Sequence, residues 1–390
     1  MTCWTGSSSS SRAGRAVALV LTSLVACASA RPAGAPAASG GGARAFRVAV
    51  LPADSLSSGP VPLRAVTTQV ERAMEAAGLK VVGGDAVEAY LENHRLRFTG
   101  GVDGPAAAAA RGELGVDGLL ITTVEEHESE GPPRLAITFR LVSASEDARI
   151  LWTDGFGRAG DDAPGLLGLG VVRDYRRLEA RELVRMARSL TLALDGRGPR
   201  APPCPAEGRF EPSVLYRSPD FQPAGRYSVA VLPFVNETSR RRAGDLLALE
   251  LTRQLAGIGR LRVIEPGVTR DRLIHYRVIM EGGVSLDTAR VTLETVGADL
   301  VIAGYVRELS EGADPSLEYT ALALDRSGKM VWQATSHGNG SAGVWFFDWS
   351  MIGSASQLAC RLARGSAVSL FGEGDTGGTE VALPAKGGKQ

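Results

Sequence analysis

The chain has few of the features that announce an enzyme. Its 390 residues contain no Gly-x-Ser-x-Gly elbow and no Walker sequence. The four histidines, His94, His127, His275 and His337, show no His-Glu-x-x-His or paired spacing, so each reads as a surface or loop residue. Gly165 to Gly170 has glycines in the manner of a dinucleotide fingerprint, but lacks the strand before it and the acidic partner after it. Glu125-Glu126-His127-Glu128 is expected to be a solvated turn at a strand exit rather than a cation site. No catalytic residue, cofactor or metal is therefore expected. Charge of one sign is also missing: 43 basic residues balance 43 acidic ones. That balance gives no overall basic field for nucleic acid and no acidic excess of the kind that keeps a chain disordered. Aromatic residues make up only 6%.

What is present is ordinary core material, 44% apolar residues over a length sufficient for two or three domains. The amino end differs from the rest. Arg12 and Arg15 precede an apolar run, Ala16 to Ala26, that is too short for a permanent transmembrane helix and suits a signal peptide. Leu24-Val25-Ala26-Cys27 closes the run and resembles the lipobox of bacterial lipoproteins, which implies cleavage of residues 1–26 and lipidation of Cys27. The other reading is an ordinary secretory signal cut after Ala28-Ser29-Ala30. Residues 27–44 consist of Ala, Gly, Ser and Pro with little else, and read as a flexible tether.

The remainder is organised around Val229-Ala-Val-Leu-Pro233, whose phrase already occurs as Val48-Ala-Val-Leu-Pro52. A continuous aliphatic run ended by proline fits a strand covered on both faces. The same order of elements follows each copy: a helix (62–77 and 242–256), a short strand (79–82 and 261–264), and a Gly-x-Asp turn into another strand (119–124 and 300–306). Two further strands with a tryptophan in the last one come next, then a closing helix. Val48 and Val229 lie 181 residues apart, Asp117 and Asp299 182, and Trp152 and Trp332 180. Constant spacing of matched anchors argues for tandem duplication. The expected architecture is α/β: two tandem mixed-sheet repeats at 45–195 and 226–371, a Pro-rich connector at 196–225, and a disordered tail at 372–390.

The second repeat, with Val-Ala-Val-Leu-Pro-Phe-x-Asn at 229–236, Leu261-Arg-Val-Ile264 and Gly297-Ala-Asp-Leu-Val-Ile-Ala-Gly304, resembles a superfamily of bacterial envelope proteins. It includes the amino-terminal domain of TolB, the curli-secretion lipoprotein CsgG, the flagellar lipoprotein FlgO and lipoprotein activators of penicillin-binding proteins. The resemblance implies a mixed-sheet α/β domain, exported and attached to the outer membrane on its periplasmic face. Its members do different work on one scaffold. The function expected is a non-catalytic, lipid-anchored scaffold or adaptor for an envelope machine, serving cell-wall synthesis or appendage assembly, with a periplasmic or outer-membrane protein partner. The alternative is an oligomeric secretion or pore component, for which Leu317 to Leu324 and Met330 to Thr335 are hairpin candidates that look more like ordinary sheet strands. Candidate partner contacts are Phe234 and Asn236 in the loop after the key strand, and the cluster Trp345, Phe346, Phe347 and Trp349. The reading set against a partner contact, and preferred to it for this cluster, is that it caps the sheet and fills the gap between the two domains. Cys204 and Cys360 form either a disulfide or remain thiols, Cys360 then being buried on its helix.

Overall fold

The short strand β1 (Arg47–Val50) lies between two parallel neighbours, β3 (Lys80–Val82) and β4 (Gly118–Glu128). From β4 the first sheet continues antiparallel through β5 (Arg134–Ser143) and β6 (Ile150–Ala159), giving the order β3-β1-β4-β5-β6, with β2 (Asp54–Ser55) added beside β4. The computed structural model describes residues 45–162, 170–205, 207–278, 280, 282–342 and 351–373.

Three helices lie between these strands: α1 (Leu63–Ala76), α2 (Asp85–Asn93) and α3 (Gly104–Leu114). A fourth, α4 (Tyr175–Leu194), follows β6. Helices α1 and α4 pack on one face of the sheet around Val66, Val70, Met186 and Leu190. Helices α2 and α3 cover part of the other face around Tyr90 and Ala107.

The second repeat has the same topology. Its sheet contains β8 (Tyr227–Val231), β9 (Val235–Asn236), β10 (Leu261–Val263), β11 (Leu300–Ser310), β12 (Ser316–Asp325) and β13 (Met330–Asn339), in the order β10-β8-β11-β12-β13 with β9 beside β11. Its helices are α5 (Ala243–Ala256), α6 (Pro266–His275), α7 (Leu286–Val296) and α8 (Ala355–Phe371). The shared Gly-x-Asp turn does the same work in each copy. Gly115 and Gly297 sit at positive φ as helix C-caps. Two residues later, Asp117 accepts from the amide of Arg47 at 2.9 Å, and Asp299 from that of Ser228 at 2.7 Å, fixing the start of the key strand. Both long strands carry a bulge at matched positions, Val124/Glu126 and Val306/Glu308.

One difference from the sequence reading lies in the connector. Ser213–Arg217 forms β7, an extra edge strand paired antiparallel with β13. Proline removes donors only where it stands, and the five residues between Pro212 and Ser218 contain none. Edge position supplies the rest, since one side of such a strand needs no partner.

Both repeats belong to a single compact unit beginning at Ala45. The cause is visible in α5. Its first-repeat counterpart α1 buries only Val66, Val70 and Met74, leaving a polar outer side. Helix α5 buries 12 of its 14 residues. Its leucines, Leu247, Leu251 and Leu255 among them, join the core cluster of the second repeat, and its Arg253 reaches β6 of the first repeat. Helix α8 is likewise wedged against both sheets. The layers therefore run α1/α4, first sheet, α5/α8, second sheet, α6/α7, with α2 and α3 sharing the inner face of the first sheet.

Candidate functional site

The seam between the repeats holds most of the buried charge. Arg140 on β5 and Glu265, the N-cap of α6, are 1% and 0% exposed and meet at 3.2 Å. The guanidinium also donates to the Gly100 carbonyl at 2.6 Å, so two acceptor groups, one from each repeat, share one cation. A buried pair of this kind is costly to assemble, and removing one partner costs on the order of 3–5 kcal/mol. Nearby, the repeats approach backbone to backbone: a Cβ on Gly101 would lie 2.8 Å from the Gly267 Cα.

A second group surrounds Arg253 on α5. It pairs with Glu250 one turn earlier at 2.6 Å, donates to the Gly155 carbonyl of β6 at 3.2 Å, and contacts the sulfurs of Cys204 and Cys360. Those cysteines are joined as a disulfide with Cα atoms 6.0 Å apart, tying the connector to α8. Burial pushes the Glu250 carboxyl up, with Arg253 opposing the rise.

The acidic run at 125–128 corrects its expected role. It is the end of β4 rather than a solvated turn, with Glu125 and Glu126 buried. Thr138 Oγ1 donates to Glu125 at 2.7 Å, and the Arg240 side chain donates to the Glu125 carbonyl at 2.9 Å. Ser354, the N-cap of α8, donates to Glu126 at 2.7 Å. Burial raises the Glu126 carboxyl to about 7, with the Ser354 hydrogen bond opposing the rise. Arg240 and Ser354 both come from the second repeat, so the partners that bury this run lie more than 100 residues away.

Phe234 is a second correction. Its ring is fully buried, set edge-on to Tyr319 with centroids 6.2 Å apart, and it packs the second-repeat core rather than offering a protein contact. Asn236 is half-buried, and its side chain is spent on its own loop. The amide donates to the Arg240 carbonyl at 2.7 Å, and its oxygen accepts from the Thr238 amide and hydroxyl at 3.0 and 2.8 Å. These bonds fix the shape of the loop. Cys27, the cluster Trp345, Phe346, Phe347 and Trp349, the glycine run from Gly165 to Leu169, and the tail from 374 onward lie outside the described residues. His94 meets Glu113 at 2.6 Å, and the His127 ring stacks edge-on with Tyr175. Among the described residues no group of three or more metal-ligating side chains occurs, and no helix is long and apolar enough to cross a membrane.

The loop that Asn236 shapes opens on a cavity of about 680 Å³ between the repeats. Asp54, Phe98, Thr123 and Arg140 of the first repeat form one wall. The end of β8, the first turns of α5, and α6 form the other. Arg270 of α6 lies 4.2 Å above the Phe98 ring, a cation–π contact across the seam. Arg242 reaches Asp54 and Asp245 at 3.6 Å each, and donates to the Ser55 carbonyl at 2.7 Å. Sequence reasoning found the Asn236 side of this cavity and missed the rest. One signal for the seam was available: leucines at 246, 247, 249, 251 and 255 surround α5, as on a helix buried on all sides.

No protein-family model matches the chain, and no curated protein matches it. Among solved structures, PelC from Paraburkholderia phytofirmans, described as a dodecamer, is similar at 21% identity and a TM-score of 0.26, over 44% of this chain and 94% of that one. The LpoB C-terminal domain from Salmonella enterica is similar at 14% identity and a TM-score of 0.26, over 30% of this chain and 86% of that one. The lipoprotein GNA1162 from Neisseria meningitidis is similar at 18% identity and a TM-score of 0.23, over 30% of this chain and 84% of that one. Likeness at this level leaves function to be argued from the chain's own residues.

Proposed function

We propose that the chain is a non-catalytic scaffold of the bacterial cell envelope, anchored through a lipidated Cys27 at the periplasmic face of the outer membrane and presenting two fused α/β repeats to a protein partner. The observation that carries this reading is the fusion itself. Helices α5 and α8 are buried between two sheets, and arginines bridge the seam to backbone carbonyls on the facing repeat. Such a seam holds the repeats at one separation and orientation, which serves a part that must set distances between other proteins. Cell-wall synthesis or appendage assembly is the setting that the sequence resemblance favours. The pore reading has less support, because the hairpin strands β12 and β13 are already paired within the second sheet and most of β12 is buried.

The test compares the wild type with Cys27→Ser in cells labelled with palmitate, followed by fractionation, crosslinking and mass spectrometry. Label and membrane attachment that depend on Cys27, with a specific crosslinked envelope protein, are expected. Free periplasmic protein without label would remove the anchor, and a large detergent-stable ring would replace the scaffold with the pore.

A further inference from the structure

The cavity between the repeats lies where open α/β sheets bind ligands. The chain leaves β8, passes through α5 to β10 on one side, and returns through α6 and α7 to β11 on the other. The carboxyl end of β8 is therefore a topological switch point, and the crevice outside it is lined by Val231, Pro233 and Phe234. Helix α5 starts there. It is 14 residues long and no side chain caps its first amides, so its positive end adds to the field in the crevice. Gly244 lets this end press against the Phe234 carbonyl, where any Cβ would overlap the backbone.

Charge around the cavity is unbalanced. Arg140 is matched by Glu265, and Arg242 shares Asp54 and Asp245 at 3.6 Å. Arg241 and Arg270 also line the cavity; no carboxylate lies within salt-bridge distance of either among the described residues, and Asp245 acts on Arg270 only from longer range. Two polar side chains of the lining are buried without satisfaction. Thr123, 3% exposed, and Thr269, 2% exposed, come from opposite repeats, and neither hydroxyl has a hydrogen-bond partner. A buried polar atom left unpaired costs about 1–3 kcal/mol, so such atoms call for an explanation. Beside Asn236 and Thr252, the remaining wall is apolar, including Leu56, Phe98, Leu249, Ile274 and Met280. The volume falls within the range of small-molecule sites, roughly 300–1,000 Å³.

We propose that this cavity binds a small anionic amphiphile, a phosphate or carboxylate group carrying a short apolar tail, with the anion among Arg241, Arg242 and Arg270 at the start of α5 and the tail against Phe98 and Ile274. Arginine forks and helix amides suit an oxyanion, and the threonine hydroxyls supply further donors. The apolar wall distinguishes such a ligand from a bare ion. Each repeat supplies only one wall, so the site exists because the repeats are fused.

The probe is hexyl phosphate, titrated calorimetrically into the full chain, with inorganic phosphate and hexanol as controls. One molecule per chain is expected to bind, with inorganic phosphate and hexanol each about tenfold weaker or worse. Arg270→Gln is expected to weaken hexyl phosphate by about tenfold while leaving the circular dichroism spectrum unchanged. Ile274 is half exposed at the rim, so Ile274→Glu tests the same point by repulsion without disturbing a core. Equal binding of hexanol, equal affinity in both variants, or no binding at millimolar probe would overturn the proposal. Displacement of hexyl phosphate by phosphatidylglycerol vesicles would assign the ligand to a lipid headgroup, and failure to displace would assign it to a soluble compound. The lipid anchor and partner capture are separate readouts, so either idea can fail without the other.

Discussion

Glu126 shows how one residue records the docking of the two repeats. Its carboxyl has an ordinary value of 4.5 when exposed and is raised to about 7 in the fold, chiefly by burial. Between those values the folded state holds a proton that the unfolded chain has released. Stability therefore falls as pH rises through that window, by an upper bound of about 3 kcal/mol. Below the lower value the contribution is fully present, and above the higher one it is gone. Glu126→Gln keeps a partner for Ser354 without the titration, so its unfolding midpoint should lose this part of the pH slope between about pH 4.5 and 7. A variant with the slope of the wild type would show that Glu126 does not titrate as described.

At the scale of elements, the same helix plays two roles in the two copies. Helix α1 has apolar residues on one side only and faces outward; α5 has them all round and is sandwiched. The start of α6 meets the loop before α3 through glycines, and a Cβ on Gly267 would overlap the Val102 backbone. Gly267→Ala should therefore destabilise the protein by about 1–3 kcal/mol, because the clash is with main chain that cannot rotate away. Gly59, where a Cβ meets nothing, provides the control: Gly59→Ala should leave the thermal midpoint unchanged. A Gly267→Ala protein that melts with the wild type would mean the repeats are not held in this register.

Across the whole molecule, the expected consequence is a single unfolding transition. Neither repeat closes its own surface: the first would expose Arg140, Glu125 and Glu126, and the second the outer side of α5. Calorimetric and van't Hoff enthalpies should agree for the full chain under oxidising conditions, and far-ultraviolet and tryptophan signals should coincide, since Trp152 and Trp332 report on different repeats. Two resolved transitions would show that the repeats fold independently and that the seam is weak.

Sequence alone settled the repeat and its internal design. Strand order, the Gly-x-Asp turn, matched tryptophans and most helix positions follow from local periodicity, turn chemistry and constant spacing, all of which are written in short windows of chain. It also marked Pro233 and Asn236 as the end of the key strand, because proline and an Asx-type loop signal themselves locally. Tertiary structure decided the rest. Whether Glu125 and Glu126 face water depended on Arg240 and Ser354, and whether Phe234 was a contact or a core residue depended on Tyr319. Burial is a property of what lies opposite, and the opposite side here is supplied by another repeat. The cavity is the clearest case, since its walls come from residues nearly 200 positions apart that share no pattern until α5 and α6 close against the first sheet.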